Sequence, residues 1–436
     1  MSKGHLAAAA LSATLDEATS EEPDVLTEWI RLLVGAVVFG ATIVITMVAH
    51  RRMHLPGIVV GVVALALAVA GFGAVVATYD TTESVALAIF FLLTAIIGGY
   101  WVAAAALPLL ARTETITPLP ARPETRGSDK CTAVVLLATA EPDRYDPRAV
   151  ASSQRLFVES EALTVSATAA PFIFLSEKTR YHAIGGVLPA HATARVVAQK
   201  LQDALGNDPL ISSVVAAWCT SRPSLADAVR QAYEAGIDRV IVAPLGSDES
   251  FPVGLAKRTL EELRARAAGM TVSFAPPLWH STRLARRLCE RIIALTTGVA
   301  MDTVGVVLVG EGQPPSWTAA HPGWSEQENY FAQRVRLHLA EHEINERHVR
   351  IGWLEWQMPD VTEVVRHLAA LGCTRIIVAP GLITLPSLAI AIDMKHAIRM
   401  ARLSGAVSVV TLTPWGDDDT IVDVLADGVR SMLHES

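Results

Sequence analysis

Cysteine is scarce and scattered in this chain. The four residues, Cys131, Cys219, Cys289 and Cys373, form no CxxC pair and no terminal cluster, which excludes an iron–sulfur centre or a zinc knuckle and leaves isolated thiols in a reducing cytoplasm. Positive charge is not in excess either: the net charge is -8 and no basic stripe runs through the polar part. Nucleic acid is therefore excluded as a partner, because phosphate binding needs concentrated Lys and Arg. Nucleotide-binding signatures are missing, since Gly310-Glu311-Gly312 lacks the third glycine of GxGxxG and no Walker lysine occurs. No GxSxG nucleophile elbow occurs. His338 and His342 have the i, i+4 spacing of a metal pair, but they lie in the charge-rich run HLAEHEINERH, which reads as a solvated helix end.

Charge is also missing, but for Arg31 at the edge of the first, from three long stretches, roughly 31–49, 57–78 and 85–107. With 51% hydrophobic residues overall and a mean hydropathy of +0.37, part of the chain must lie in a membrane, and each stretch has about the 20 residues a spanning helix needs. Trp29, Tyr79, Tyr100 and Trp101 fall near the ends of these stretches, where amphipathic rings prefer the interface. The loop His50-Arg51-Arg52-Met53-His54 is basic and the loop Tyr79-Asp80-Thr81-Thr82-Glu83 is acidic. The first is expected in the cytoplasm, so the remainder of the chain lies there too, as a multi-pass protein of the cell (inner) membrane. With no charged residue inside them beyond Arg31 at the edge, the spans read as an anchor and not as an ion pathway. The expected organisation is a mobile tail at 1–27 without the features of a signal peptide, three transmembrane helices at 28–111, and a Pro- and Arg-rich linker at 112–130.

From residue 131 short apolar strands alternate with amphipathic helices, the pattern of parallel sheets with crossover helices. Strands are expected at 132–138, 212–218, 239–245, 270–275, 303–309, 349–354, 375–380 and 406–412. Helices are expected at 191–205, 224–236, 253–268, 281–296, 325–342, 360–371, 387–403 and 419–433. An internal repeat divides this region. RPSLADAVRQAYEAGIDRVIVAPL (222–245) aligns without a gap with MPDVTEVVRHLAALGCTRIIVAPG (358–381), and Trp279 and Trp415 share the offset of Pro223 and Pro359, 136 residues (359 − 223). The fold class is thus α/β after three membrane helices: two similar half-domains, 131–298 and 299–436, with parallel sheets facing a cleft. The first half carries an extra stretch around 143–190. Val304–Pro315, VGVVLVGEGQPP, places Glu311 at the carboxyl end of a central strand, where open α/β sheets bind ligands.

These residues resemble the ferrochelatase and sirohydrochlorin/cobalt chelatase superfamily. The repeated half-domain with APL or APG after a strand is one mark. WLEWQMPDVTEVV (353–365) is similar to the FLELAEPSLAEAL-type segment of small cobalt chelatases, and AWCTSRPSL (217–225) to the AMRYGEPSI-type segment of ferrochelatases. KTRYHAIGGVLPAHATARVVAQKL (178–201) resembles the ferrochelatase stretch with an aromatic, a GSP-like turn and a helix. HPGWSEQ (321–327) stands where ferrochelatases carry GDPYxxQ, with Trp324 in the tyrosine slot and Gln327 as the glutamine. The resemblance implies insertion of a divalent metal, Fe2+ first and Co2+ next, into a tetrapyrrole in heme biosynthesis. Metal and tetrapyrrole are then substrates, with no permanently bound cofactor and no iron–sulfur cluster, and heme-pathway or recipient proteins are implied partners.

The departures matter for chemistry. The family's catalytic histidine, in SAH or GHG, falls on Glu311. The second family acid or histidine falls in the apolar run Leu385 to Ile392, so Asp393 and His396, just beyond it, are reached only by a shift of helix register. Insertion needs a metal ligand and a base for two pyrrole protons, and a carboxylate serves as base when burial raises its pKa. The expected catalytic residues are Glu311, His321 and Asp393, and the expected metal ligands Glu311 and His280. Tyr181, Trp324 and Trp356 are expected to stack on the macrocycle, and His182 is a further candidate. Three readings stay open: a membrane-anchored chelatase, a catalytically degenerate chelatase fold that binds or transfers a tetrapyrrole or metal, and a structural module without ligand.

Overall fold

The three long apolar stretches become helices: α1 (Pro23–Val48), α2 (His54–Thr78) and α3 (Thr82–Ala105). In the computed structural model the described residues are 23–49, 54–78, 82–111, 132–206, 208–247, 249–264 and 270–434. Within them Leu26–Val48, Val59–Ala77 and Val85–Leu110 are long and apolar enough to cross a membrane. Val62 of α2 and Phe90, Leu93 and Ile97 of α3 are all exposed, so the outer faces of these two helices are apolar. Small residues let the backbones meet: a Cβ on Gly35 would strike α2 at Ala64 and Ala68, and one on Gly99 would strike Val37 of α1. The tail 1–22, most of both short loops, and the linker 112–130 lie outside the described residues, so the features from which orientation was read are not among them.

By packing the chain divides into two units whose boundary does not match a single point in the sequence. The first contains the three helices together with 146–155 and 164–179; the second contains the rest of the α/β region. The added segments come from α4 (Pro147–Glu159) and α5 (Ala170–Ala183) of the extra stretch, two helices that periodicity did not show. Ala151, Ala170 and Phe174 are buried in one cluster with Val44, Val48, Ala104 and Leu107. Tyr100 donates its hydroxyl to Thr168 O at 2.8 Å, and Lys178 Nζ donates to Thr46 O at 3.0 Å.

The second unit holds two parallel four-stranded sheets of one topology. β1 (Thr132–Ala138), β2 (Ile211–Trp218), β3 (Arg239–Pro244) and β4 (Thr271–Phe274) lie in the order β2-β1-β3-β4. β5 (Val304–Gly310), β6 (Val349–Trp353), β7 (Arg375–Ala379) and β8 (Ser408–Thr411) repeat it as β6-β5-β7-β8. The central strands β1 and β5 are buried along their whole length, as continuous apolar runs between layers of helices require. Val134 pairs with Val214 and Ile241, and Val306 with Val349 and Ile377.

The two halves agree in detail. Trp218 N donates to Pro223 O and Trp353 N to Pro359 O, at 2.9 and 3.1 Å, and the bond before each proline is cis. Ser224 caps α7 (Leu225–Glu234) and Asp360 caps α12 (Val361–Ala370), each accepting from the backbone N–H three residues on. Gly236 and Gly372 come just after these helices at φ 79° and 93°, the left-handed exit that glycine takes without strain.

One core joins the halves, with Leu136, Trp218 and Ile241 of the first sheet in the same cluster as Leu308, Ile377 and Phe331 from the second half. The C-terminal helix α14 (Asp419–His434) ties the second half to the first. Asp419 at its start pairs with Lys200 at 2.9 Å, and Arg430 donates to Ala204 O at 2.8 Å. The expected single helix over 387–403 differs: a π-helical turn, Ala389–Met394, precedes the short α13 (Lys395–Met400).

Candidate functional site

β5 delivers Glu311 where the strand passes into a loop. Gly310 O accepts from Leu354 N and Glu311 O from Glu355 N, at 3.0 and 2.9 Å, so the loop after β6 runs beside Glu311 and brings Glu355 with it. The flanking glycines are forced by this approach. A Cβ on Gly310 would meet the Trp353 ring, and Gly312, at φ 84°, lies against the Glu355 carbonyl.

Glu311 is accessible in the surface sense and yet has protein on all sides, the situation of a side chain lining a cleft. Burial raises its pKa above the ordinary carboxylate value. A hydrogen bond from Ser387 opposes the shift, Glu355 and Asp393 add to it, and Arg180 opposes it. Asp393 is also raised, chiefly by burial, against the opposing charge of Arg180, with which it forms an ion pair. The π turn supplies the register shift that Asp393 needed, because i→i+5 bonding inserts a residue and rotates the rest of the helix. Glu141, beyond the tip of β1, accepts from Leu388 N at 2.7 Å and holds the start of that turn from the first half.

The charge of Glu311 is felt by a second acid. Glu328, on α11 (Gly323–Ala340), is 4% exposed, and its Oε2 has no hydrogen-bond partner. Burial lifts its pKa well above the usual range, the charge of Glu311 adds to this, and the Trp279 indole opposes it. Gln313, also 4% exposed, leaves its Nε2 unpartnered, whereas Gln327 Oε1 accepts from Ser247 at 2.8 Å.

Of the residues expected from the sequence, Glu311 and Asp393 come together, and the others lie elsewhere. His321 sets its ring edge on Phe251 at 5.7 Å, beneath Gly254, with a pKa lowered by burial. His280 is exposed, edge-on to Tyr330 at 5.4 Å, and is not among the groups acting on Glu311. His182 is exposed. Tyr181 is buried, donating to Pro142 O at 2.6 Å, and Trp324 is buried 5.5 Å from Trp353, both as core residues. Trp356 is 40% exposed, with one face on Phe157 at 5.7 Å. His338 bonds Glu341 at 3.3 Å on the helix end. Among the described residues no three His, Cys, Asp or Glu side chains converge as a metal-ligand set. Burial pushes the Cys289 thiol up to about 12 and the Cys373 thiol to about 11, so neither offers a thiolate at neutral pH.

Arg180, Glu328, Glu355, Ser387 and Glu141 were not singled out from the sequence. Glu328 carried a signal: it falls on the helical stripe Trp324, Glu328, Phe331, Ala332, Val335, where an apolar residue is the rule.

A search of curated proteins found no match to this chain. Among solved structures, SirB from Bacillus subtilis, solved with Fe3+, aligns with a TM-score of 0.44 and 12% identity over 70% of this chain and 96% of that one. The sirohydrochlorin chelatase SirB from Bacillus subtilis subspecies spizizenii, in complex with cobalt, aligns at 0.41 and 11% over 69% and 94%. A multi-domain Deinococcus radiodurans protein, described as structurally similar to chelatases, aligns at 0.41 and 14% over 68% and 55%. The family comparison is decisive: residues 132–433 match the ferrochelatase family, and the chain belongs to it.

Proposed function

We propose that this protein is a membrane-anchored chelatase that inserts a divalent ion, Fe2+ before Co2+, into a porphyrin for heme formation. The observation that carries the reading is Glu311: an accessible carboxyl, surrounded by protein, at the carboxyl end of a central strand of a ferrochelatase-family domain. Insertion requires that two pyrrole N–H protons leave as the ion enters. A carboxylate of ordinary pKa is a poor acceptor for them, and the burial that raises Glu311 makes it a better one. Asp393, held by Arg180, is the second acid of the same site, placed to receive a proton or contact the ion. Trp356, stacked on Phe157 and 40% exposed, is the aromatic best placed to lie on a macrocycle.

Three apolar helices support the anchor, and the basic first loop supports a cytoplasmic chelatase domain. Porphyrins partition into bilayers, so a site held near the membrane shortens the search for substrate or recipient. A carrier that binds the macrocycle or ion without inserting it is favoured by one observation, the lack of a third metal ligand among the described residues.

The test is anaerobic insertion of Fe2+, Co2+ and Zn2+ into protoporphyrin and coproporphyrin, monitored by absorbance, with the full chain in detergent and Glu311→Gln and Glu311→His beside it. Turnover that Glu311→Gln abolishes supports the chelatase. Porphyrin fluorescence quenching without turnover in the natural chain replaces it with the carrier.

A further inference from the structure

We infer that residues 164–176 lie in the lipid boundary beside the spans, with the face of α5 that carries Phe172 and Leu175 against acyl chains. The inference rests on the anchor in the reading above and is independent of the insertion chemistry.

The stretch TVSATAAPFIFLS (164–176) has thirteen residues (176 − 164 + 1) and no charge. That is too short to cross hydrocarbon and of the length that lies in its boundary. In the fold it packs with the three apolar helices as one unit. One face of α5 serves that packing, since Ala170 and Phe174 are buried with Val44, Val48, Ala104 and Leu107. The opposite face is exposed at Phe172, Leu175, Ser176 and Thr179, which follow at i, i+3, i+4 and i+7 and include no charge. Phe172 is 59% exposed and Leu175 38%. A helix face turned to water normally carries charge, and here Glu177 and Lys178 are off the stripe and half-buried.

Two hydrogen bonds set the depth. Tyr100, which donates to Thr168 O, stands ten residues (110 − 100) inside the end of the apolar span Val85–Leu110. Thr46, whose carbonyl accepts from Lys178, stands two residues (48 − 46) inside the end of Leu26–Val48. Along the helix axes these are about 15 Å and about 3 Å from the span ends. The uncharged stretch therefore lies beside the apolar part of the spans, and the Lys178 ammonium lies near the rim, where a lysine reaches the polar boundary. Ile45 and Trp101, next in sequence to Thr46 and Tyr100, are themselves exposed, so lipid that covers the spans at this level meets α5 as well.

The probe is the full chain in liposomes of phosphatidylcholine and phosphatidylglycerol, with photoreactive benzoylphenylalanine placed singly at Phe172, Leu175, Phe90 or Leu371. Phe90, 62% exposed on α3, reports the anchor, and Leu371, 44% exposed after α12, reports background. Expected after irradiation are adducts on lipid acyl carbons from positions 172 and 175, each at least about tenfold above position 371. Using two exposed positions guards against one that perturbs folding. Labelling at position 90 with only background at 172 and 175 overturns the lipid contact and leaves the anchor. Protein dimers formed at 172 and 175 in place of lipid adducts overturn it in favour of a second copy of the chain. Background at all positions removes the anchor and the contact together, whereas adducts at 172 and 175 without labelling at 90 support the contact and remove the spans.

Discussion

The carboxyl ends of β1 and β5 are the same point of a repeated sheet, and their polar groups are satisfied very differently. Near β1, His191 stacks on Trp218 with centroids 3.8 Å apart and pairs with Ser221 Oγ at 3.3 Å through Nε2. Its backbone N–H donates to Asp143 at 2.7 Å, and Glu141 accepts from Leu388 N. Near β5 Arg180 pairs with Asp393 and its charge also reaches Glu311, and Glu328 has a buried oxygen with no donor. A duplicated scaffold thus turned one tip into a hydrogen-bonded joint and gathered buried acids with raised pKa at the other. Unsatisfied groups that a fold retains mark the place where a ligand completes them.

Exchanging carboxyl for amide at the two tips is the sharpest way to test this contrast. Glu311→Gln should lower insertion by about 100-fold or more, the scale of a lost base, while Glu141→Gln, which keeps an oxygen to accept from Leu388, should change it by no more than about threefold, well below that scale. Equal losses would make the two tips equivalent.

Stability should ignore the contrast. Leu136→Ala in β1 and Leu308→Ala in β5 each remove a fully buried side chain from the shared core, and each should cost about 2–5 kcal/mol in denaturant unfolding. A loss confined to one half would show that the halves unfold separately.

The pH response should separate the tips again. Arg180 holds Asp393 down against burial, so Arg180→Met should raise the Asp393 pKa further and move the acidic limb of the insertion profile to higher pH. At the other tip burial lowers the His191 pKa, against the opposing pull of Asp143. The folded chain then binds fewer protons than the unfolded one just below pH 6.5, so stability should rise as pH climbs towards 6.5. His191→Gln should flatten that rise in thermal midpoints taken between about pH 5.5 and 7.5.

The smallest effect belongs to Tyr181→Phe, which removes one hydrogen bond to Pro142 O and should cost about 1 kcal/mol without altering porphyrin quenching. A large loss of quenching would return Tyr181 to the macrocycle.

Much of the fold could be read from residues. The three long helices are apolar over a length sufficient to cross a membrane. The strands are continuous apolar runs, and the offset that pairs Pro223 with Pro359 also pairs their caps and exit glycines in space. The extra stretch was read as belonging to the first half, whereas 146–155 and 164–179 pack with the spans. Ala151, Ala170 and Phe174 look like an ordinary amphipathic face, and nothing in a helical period names the surface it will cover. The site was legible where topology alone placed it: Glu311 ends a central strand. It was not legible where position depended on packing, as with Arg180, which comes from 213 residues away to meet Asp393.

Sequence by itself determined the three apolar helices, the doubled parallel sheet, the family and the acid in the histidine's place, because each rests on residue type at a local spacing. Tertiary structure decided that the π turn carries Asp393 round to Arg180, that His321, His280, Tyr181 and Trp324 lie apart from Glu311, and that Glu328 is buried with one oxygen lacking a donor. Those outcomes depend on which surfaces meet across long separations and on how much water is removed when they do, and no local pattern encodes either quantity.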